Sequence, residues 1–187
     1  MVKKKTCVFI SGQGSNLKNL ISRSRDSSFP IKISLVVSNK KKAKGINYAK
    51  KNNVPYVYIN TKRRFYENKI LLNLKKHKIS FICLAGYMKI ISKKIIKKYP
   101  NKIINIHPSL LPKYKGLNTF SRILENNESQ AGCTIHFVNE KLDSGNIITQ
   151  KFFFISKNDK ENDLKIKTQK LEYKAFPEAI IKIFRKN

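Results

Sequence analysis

The 187-residue chain predicts an α/β fold of three layers around a mostly parallel, mixed-edge sheet. Short apolar runs alternate with longer charged segments of helical period, the order expected of strand–helix–strand units. One run, "SFICLAG" (80–86), is apolar without alternation, as for a strand covered on both faces. The last two strand-like runs, 131–139 and 146–155, follow each other with no long helix between them, which predicts the mixed edge. No repeat, low-complexity linker or composition break interrupts the pattern, and the length suits one domain, 1–187, able to bury its own core.

In chain order, "TCVFI" (6–10) reads as the first strand, and "SNLKNLISRS" (15–24) as a helix that Ser15 is able to cap. "IKISLVVS" (31–38) is a strand, "KAKGINYAKKNN" (42–53) a helix ending in Asn, and "PYVYI" (55–59) a short strand. Across 64–78, Phe65, Ile70, Leu71 and Leu74 mark one face of a helix. After 80–86, "SKKIIKKYP" (92–100) is a short helix stopped by Pro100, and "KIINI" (102–106) is the next strand. "TFSRILENN" (119–127) reads as helix. "AGCTIHFVN" (131–139) alternates, so one of its faces should be more exposed, and "NIITQKFFFI" (146–155) is another strand. Residues 161–187 close the chain as helix, with Pro177 marking a break or kink.

Lysine and arginine number 40 against 11 acidic residues, a formal net charge of +29. Such a charge invites a nucleic-acid reading. The lysines speak against it. They are spread along the chain, as in "NKKKAK", "NLKKHK" and "SKKIIKK", at helix-surface spacings and without the aromatic interleaving of a single-strand platform. The expectation is a solvated basic face with no dedicated nucleic-acid partner, which still attracts anionic substrates. Cys7, Cys83 and Cys133 lie far apart without metal spacing and are expected to be buried free thiols in a reducing compartment. The basic lead "MVKKKTCVFISG" has too short an apolar run for a signal peptide. "FICLAGYM" is too short for a membrane span of about 20 residues. A soluble, cytoplasmic protein with no membrane attachment is expected.

Two stretches carry candidate chemistry. In "FISGQGSN" (9–16) a strand runs through a glycine-rich turn into a helix, and the helix N-terminus offers an anion its partial positive charge. The turn is compatible with a phosphate site or with a plain strand–helix connection. It is not a dinucleotide fingerprint, because the third glycine and the acidic residue after the second strand are missing, and it lacks the lysine of a P-loop. In "IINIHPSLLPKYKG" (103–116), Asn105 and His107 stand two apart beyond a strand, on the same face. Asn offers an oxyanion a donor, and His offers acid or base chemistry near neutral pH. Pro108 and Pro112 would stiffen the loop after them. A turn at "LDSG" supplies Asp143, a carboxylate expected to raise the imidazole pKa, although Asp is also common turn chemistry. His77 reads as a charged helix end and His136 as a strand residue with a satisfied ring. No histidine pair has close ligand spacing, so no metal is expected.

Taken together, "SGQGSNL", "LAGYMKII", "NIHPSLLPKYKGL" and "LDSG", in this order and spacing, resemble the glycinamide ribonucleotide formyltransferase family of the formyltransferase superfamily, over about residues 5 to 185. The resemblance implies a Rossmann-like fold and transfer of a formyl group from 10-formyltetrahydrofolate, the cosubstrate, to the primary amine of a ribonucleotide in purine synthesis, without a metal. It implies Asn105, His107 and Asp143 as catalytic residues, and Gly14, Ser15 and Asn16 on the substrate phosphate. Gln169, Lys170, Leu171 and Glu172 would contact the ribonucleotide, with Glu172 at the glycinamide end. Folate would meet Arg63, Met88, Lys89, Ile90, Ile91, Asn105, Asn139, Glu140, Lys141, Leu142 and Asp143. The partners implied are small molecules, with the protein a monomer or homodimer.

The chain departs from the family pattern at several positions. Lys89 stands where arginine is common, and Lys115 replaces a usual proline. Asn118 and Phe120 stand where many members carry histidines, and Lys170 and Leu171 alter a "QTQE" pattern. Rival readings are the methionyl-tRNA formyltransferase, which needs a second, C-terminal domain, and 10-formyltetrahydrofolate hydrolase, which usually carries an N-terminal regulatory domain. A nucleic-acid-binding module with a decayed site is a rival of another class, and the intact trio argues against it.

Overall fold

The computed structural model describes residues 2–185. Seven strands are formed: β1 (Lys4–Ile10), β2 (Ile31–Ser38), β3 (Tyr56–Tyr58), β4 (Phe81–Leu84), β5 (Ile103–His107), β6 (Gln130–Phe137) and β7 (Ile147–Phe154). The helices are α1 (Ser15–Ser24), α2 (Gly45–Lys51), α3 (Tyr66–Lys76), α4 (Lys93–Lys98), α5 (Thr119–Glu125) and α6 (Glu161–Arg185). The sheet order is β3-β2-β1-β4-β5-β6-β7. β1 pairs in parallel with β2 and β4, and β2 with β3, whereas β7 runs antiparallel to β6. This is the mostly parallel, mixed α/β sheet that the strand–helix alternation predicts. The chain divides into two compact units, residues 1–104 and 105–187.

In the first unit β1 lies between β2 and β4, so Cys7 to Ile10 are wholly buried. An interior parallel strand has no solvent face, hence no polar alternation. Leu17, Leu20 and Ile21 form the buried stripe of α1. The helix cap is not Ser15. Gly14 occupies that position at φ 74, and Ser15 is the first helical residue. α2 begins at Gly45, three residues later than the periodicity suggests, because 40–44 are wound into a turn. The Ser38 hydroxyl donates to the Lys40 carbonyl (2.9 Å), and the Gly45 N–H donates to the Gly12 carbonyl (3.0 Å). Phe65 is not on the buried face of α3. It precedes the helix at φ 60 and is 62% exposed, leaving Ile70 and Leu74 to bury.

In the second unit β6 is buried along nearly its whole length, where its alternation suggested an exposed face. It is an interior strand, and α6 packs across β6 and β7. The alternating exposure falls on β7 instead. Pro177 does not break the last helix. α6 continues through it, and the ring is buried with Ala175, Phe176, Ala179 and Ile180, so apolar packing offsets the missing N–H. Ile123, Ala131 and Leu164 form a further apolar cluster, against which Tyr114, Phe120 and Phe153 pack. Cys7, Cys83 and Cys133 are free and buried. Among the described residues no helix is long and apolar enough to cross a membrane.

A Cβ on Gly14 would overlap the Gly45 Cα, at a φ that L side chains rarely adopt. Gly14→Ala is therefore expected to lower unfolding free energy by about 1–3 kcal/mol. Urea denaturation measures this, and an unchanged midpoint would show that the turn adapts.

Candidate active site

The site in the second unit is built on β5. The strand ends at His107, so Asn105 and His107 are its last residues and do not lie beyond it. Two residues apart on a strand, they share a face, and both reach one carboxylate. His107 Nδ1 is 3.4 Å from Asp143 Oδ2, and Asn105 Nδ2 is 3.5 Å from Asp143 Oδ1. The structure thus brings together the three residues predicted to be catalytic. It adds a fourth, which the sequence reading treated as an ordinary strand residue. His136 on β6 places Nε2 at 3.2 Å from Asn105 Nδ2 and 3.6 Å from Asp143 Oδ1. The signal for it is a histidine on the strand flanking β5, and strand order is a long-range property that the sequence pattern does not carry.

Hydrogen-bond partners fix the protons. His136 Nδ1 is 2.8 Å from the Phe137 carbonyl, which only accepts, so Nδ1 carries the hydrogen; Nε2 accepts from the Asn105 amide when the ring is neutral and donates toward Asp143 when it is charged. His107 Nε2 is 2.8 Å from the Tyr114 carbonyl and donates to it. Its Nδ1 then faces Asp143 as a lone pair when the ring is neutral and as a donor when it is charged.

The pKa of His107 lies below the ordinary 6.5, not above it as expected from its carboxylate neighbour. Burial is the largest cause. The Tyr114 carbonyl and Asp143 push upward, and His136 and Arg122 add to the fall. Asp143 lies below the ordinary carboxyl value of 3.8. Burial raises it, but the His136 ring, the Gly116 N–H and the positive charge available on both histidines prevail.

The loop after β5 is held by more than its prolines. The Thr134 hydroxyl donates to the Ser109 carbonyl (2.6 Å) and accepts from the Leu111 N–H (3.0 Å), and the Gln150 amide donates to the Leu111 carbonyl (2.9 Å). Further along, the Gly116 N–H donates to Asp143 Oδ2 (2.9 Å), and the Lys115 ammonium donates to the Ser144 hydroxyl (2.5 Å). Lys115 thus bonds where a proline is usual. Asn118 caps α5 at φ 54, and Phe120 packs in the apolar cluster. Asp143 itself turns at φ 45, and a Cβ on Gly145 would overlap the Phe137 carbonyl, so the turn fits only with glycine there.

The remaining predicted residues are placed as follows. In the first unit Gly14, Ser15 and Asn16 form the N-terminus of α1, with Asn16 buried. The Met88 N–H donates to the Ser11 hydroxyl (2.7 Å). Met88 and Ile90 are 66% and 68% exposed, Lys89 and Arg63 are exposed, and Ile91 is buried, so its side chain is spent on the core. In the second unit Asn139, Glu140, Lys141 and Leu142 are exposed on the turn leading to Asp143. Gln169, Lys170, Leu171 and Glu172 lie along α6. Burial and then the Glu172 carboxylate push the Cys133 thiol up to about 12.

A mixed α/β sheet that presents Asn, His and Asp together on one strand end and one turn has the makings of an acyl-transfer site. The chain belongs to the formyl transferase family, whose model matches residues 4–180. Its relatives include a phosphoribosylglycinamide formyltransferase of Haemophilus influenzae, 39% identical, over 97% of this chain and 87% of that protein. A trifunctional purine biosynthetic protein adenosine-3 of Drosophila melanogaster is 40% identical over 95% of this chain, which spans only 14% of that protein. The crystal structure of the Brucella melitensis phosphoribosylglycinamide formyltransferase superposes with a TM-score of 0.92 at 35% identity, over 98% of this chain and 96% of that one.

Both pKa shifts have the same sign of consequence. A folded-state value below the unfolded one gives stability that is complete above the unfolded pKa and lost as pH falls through the folded pKa. For His107 the loss begins near pH 6.5, and for Asp143 near 3.8. Urea midpoints are expected to fall in two stages on acidification. His107→Asn should remove the first stage and Asp143→Asn the second. A wild-type midpoint level from pH 7.5 to pH 5 would contradict a buried neutral His107.

Proposed function

We propose that this protein transfers the formyl group of 10-formyltetrahydrofolate to the amine of N1-(5-phospho-D-ribosyl)glycinamide, in the purine (IMP) pathway. Residues 1–187 act as one formyltransferase domain in the cytoplasm, as a monomer or homodimer on small-molecule substrates. The meeting of Asn105, His107 and Asp143 around the end of β5 carries the reading, and relatives of similar length that bear the enzyme's name support it.

In the reaction the amine nitrogen bonds to the formyl carbon and the bond from that carbon to folate N10 breaks. The amine gives up one proton and N10 gains one. Between these events the carbon is tetrahedral and its oxygen negative. Asn105 has two amide hydrogens. His136 Nε2 takes one and so fixes which way the amide faces. The other points toward Asp143 Oδ1, 3.5 Å from the amide nitrogen, and is offered to the oxyanion.

His107 is neutral at rest because burial holds its pKa down. Negative charge forming beside it raises its proton affinity, so it takes up the proton the amine releases as the intermediate forms and gives it up again as N10 is protonated. Asp143 stays ionised and faces that charge through Nδ1. The Tyr114 carbonyl holds the other ring N–H, so direct donation from Nε2 to substrate requires that bond to be exchanged.

The α1 N-terminus at Gly14, Ser15 and Asn16 takes the phosphate, and Gln169 to Glu172 take the rest of the ribonucleotide. Folate takes Arg63, Met88 to Ile91 and Asn139 to Asp143. The exposed Met88 and Ile90 side chains suit a flat ring system that covers them, and Ile91 is left its backbone alone.

Losing one oxyanion donor typically costs about 10²–10³ in rate. Asn105→Ala and His107→Ala are expected to lose at least that much turnover with circular dichroism unchanged. The assay follows folate product with and without the ribonucleotide. Product formed equally without it would mean hydrolysis, and wild-type rates in folded His107→Ala would remove that residue from the chemistry.

A further inference from the structure

We propose that the turn Lys40–Lys44 is a capture rim for the phosphate monoester of the ribonucleotide. Lys41, Lys42 and Lys44 set how fast that substrate is taken up and how strongly salt opposes it, not the chemistry that follows. The proposal rests on the activity given above and deepens it.

Within the first unit a cavity of about 580 Å³ is lined by Ser11, Gly12, Gln13 and Lys40 to Lys44. Its lining is the very turn that leads into α1 together with the lysine turn, and Ala43 is its one apolar side chain. The lysine ammonium groups on that wall suit an anionic group.

The lysine turn is fixed, not draped. Ser38 bonds the Lys40 backbone from both sides, the Ala43 N–H donates to the Lys40 carbonyl (3.2 Å), and Gly45 is bonded to Gly12. Lys40, Lys41, Lys42 and Lys44 are all exposed, and among the described residues none of them has an ion-pair partner. The sequence leaves no competitor nearby along the chain. From Ser27 to Tyr66 there are ten Lys or Arg residues and no Asp or Glu.

Like charges held around a concave wall focus the field there. They act over about one Debye length, roughly 8 Å at physiological salt. A dianionic phosphate approaching the α1 N-terminus passes through that field. The rest of the +29 charge is spread over the chain.

The test compares K41Q/K42Q/K44Q with K75Q/K76Q/K98Q, which removes the same charge from exposed positions on α3 and α4. At low ionic strength kcat/KM for the ribonucleotide should fall about tenfold in the rim variant. Its kcat and its KM for folate should hold, and its salt dependence should flatten. The control should stay within about twofold. Equal falls in both variants, no fall in the rim variant, or a fall in kcat would each overturn the proposal.

Calorimetric titration of glycinamide ribonucleotide alone into the folate-free protein separates the rim from the activity. Salt-dependent binding that weakens in the rim variant, in a wild type with no turnover, would sink the activity and keep the rim. Turnover with equal affinity and equal salt dependence in wild type and rim variant would sink the rim and keep the activity.

Discussion

A carboxylate withdrawn from water has to be met by donors or neutralised, and the second unit is arranged around that requirement at Asp143. Its oxygens face a backbone N–H, an amide and two imidazoles, drawn from the loop after β5, from β5 itself and from β6. Each partner is thereby oriented: the amide nitrogen turns inward, and both rings present a nitrogen to the charge. Removing the charge would leave buried donors facing nothing, so the same interaction serves the fold and the chemistry.

The backbone bears much of the cost of this arrangement. Asp143 turns in the left-handed region, and Gly145 lies against the Phe137 carbonyl, so the carboxylate is delivered by a turn with little freedom. Opposite it, Thr134 and Gln150 hold the loop by its carbonyls and an N–H. An interior strand and an edge strand thus fix the position of Tyr114 and Gly116, the loop's two contacts with the trio.

What the amino-acid sequence disclosed, and what it hid, follows from range. Strand–helix order and the bounds of β2 and α1 are local patterns and were readable. Asn105 and His107 share a face by local spacing on β5, whereas the "LDSG" turn alone reads equally as ordinary turn chemistry, and Asp143 meets them through long-range contacts. The exposure of β6 was misread because its alternation of residue types says nothing about which strands and helix cover it. Phe65 fits a helical period yet lies outside the helix, since it is itself left-handed and α3 starts one residue after it. His136 and the Tyr114 carbonyl depend on strand order and loop path, which are long-range. The direction of the His107 shift depends on burial, which outweighs a single neighbouring charge and is invisible to spacing.

Gly14 and Gly45 touch through their backbones, one on the turn assigned to phosphate and one at the start of α2. A residue that meets no substrate therefore inherits the constraint of one that does. A Cβ on Gly45 would crowd both Ile10 and the Gly14 Cα, so neither position can gain bulk while the other keeps its place. Among chains that use this turn, variation at the two positions should be coupled, and a permissive change at one should be found only alongside a displaced α2. The reach of the turn proposed for phosphate into sequence space is in this sense wider than the residues that would touch phosphate.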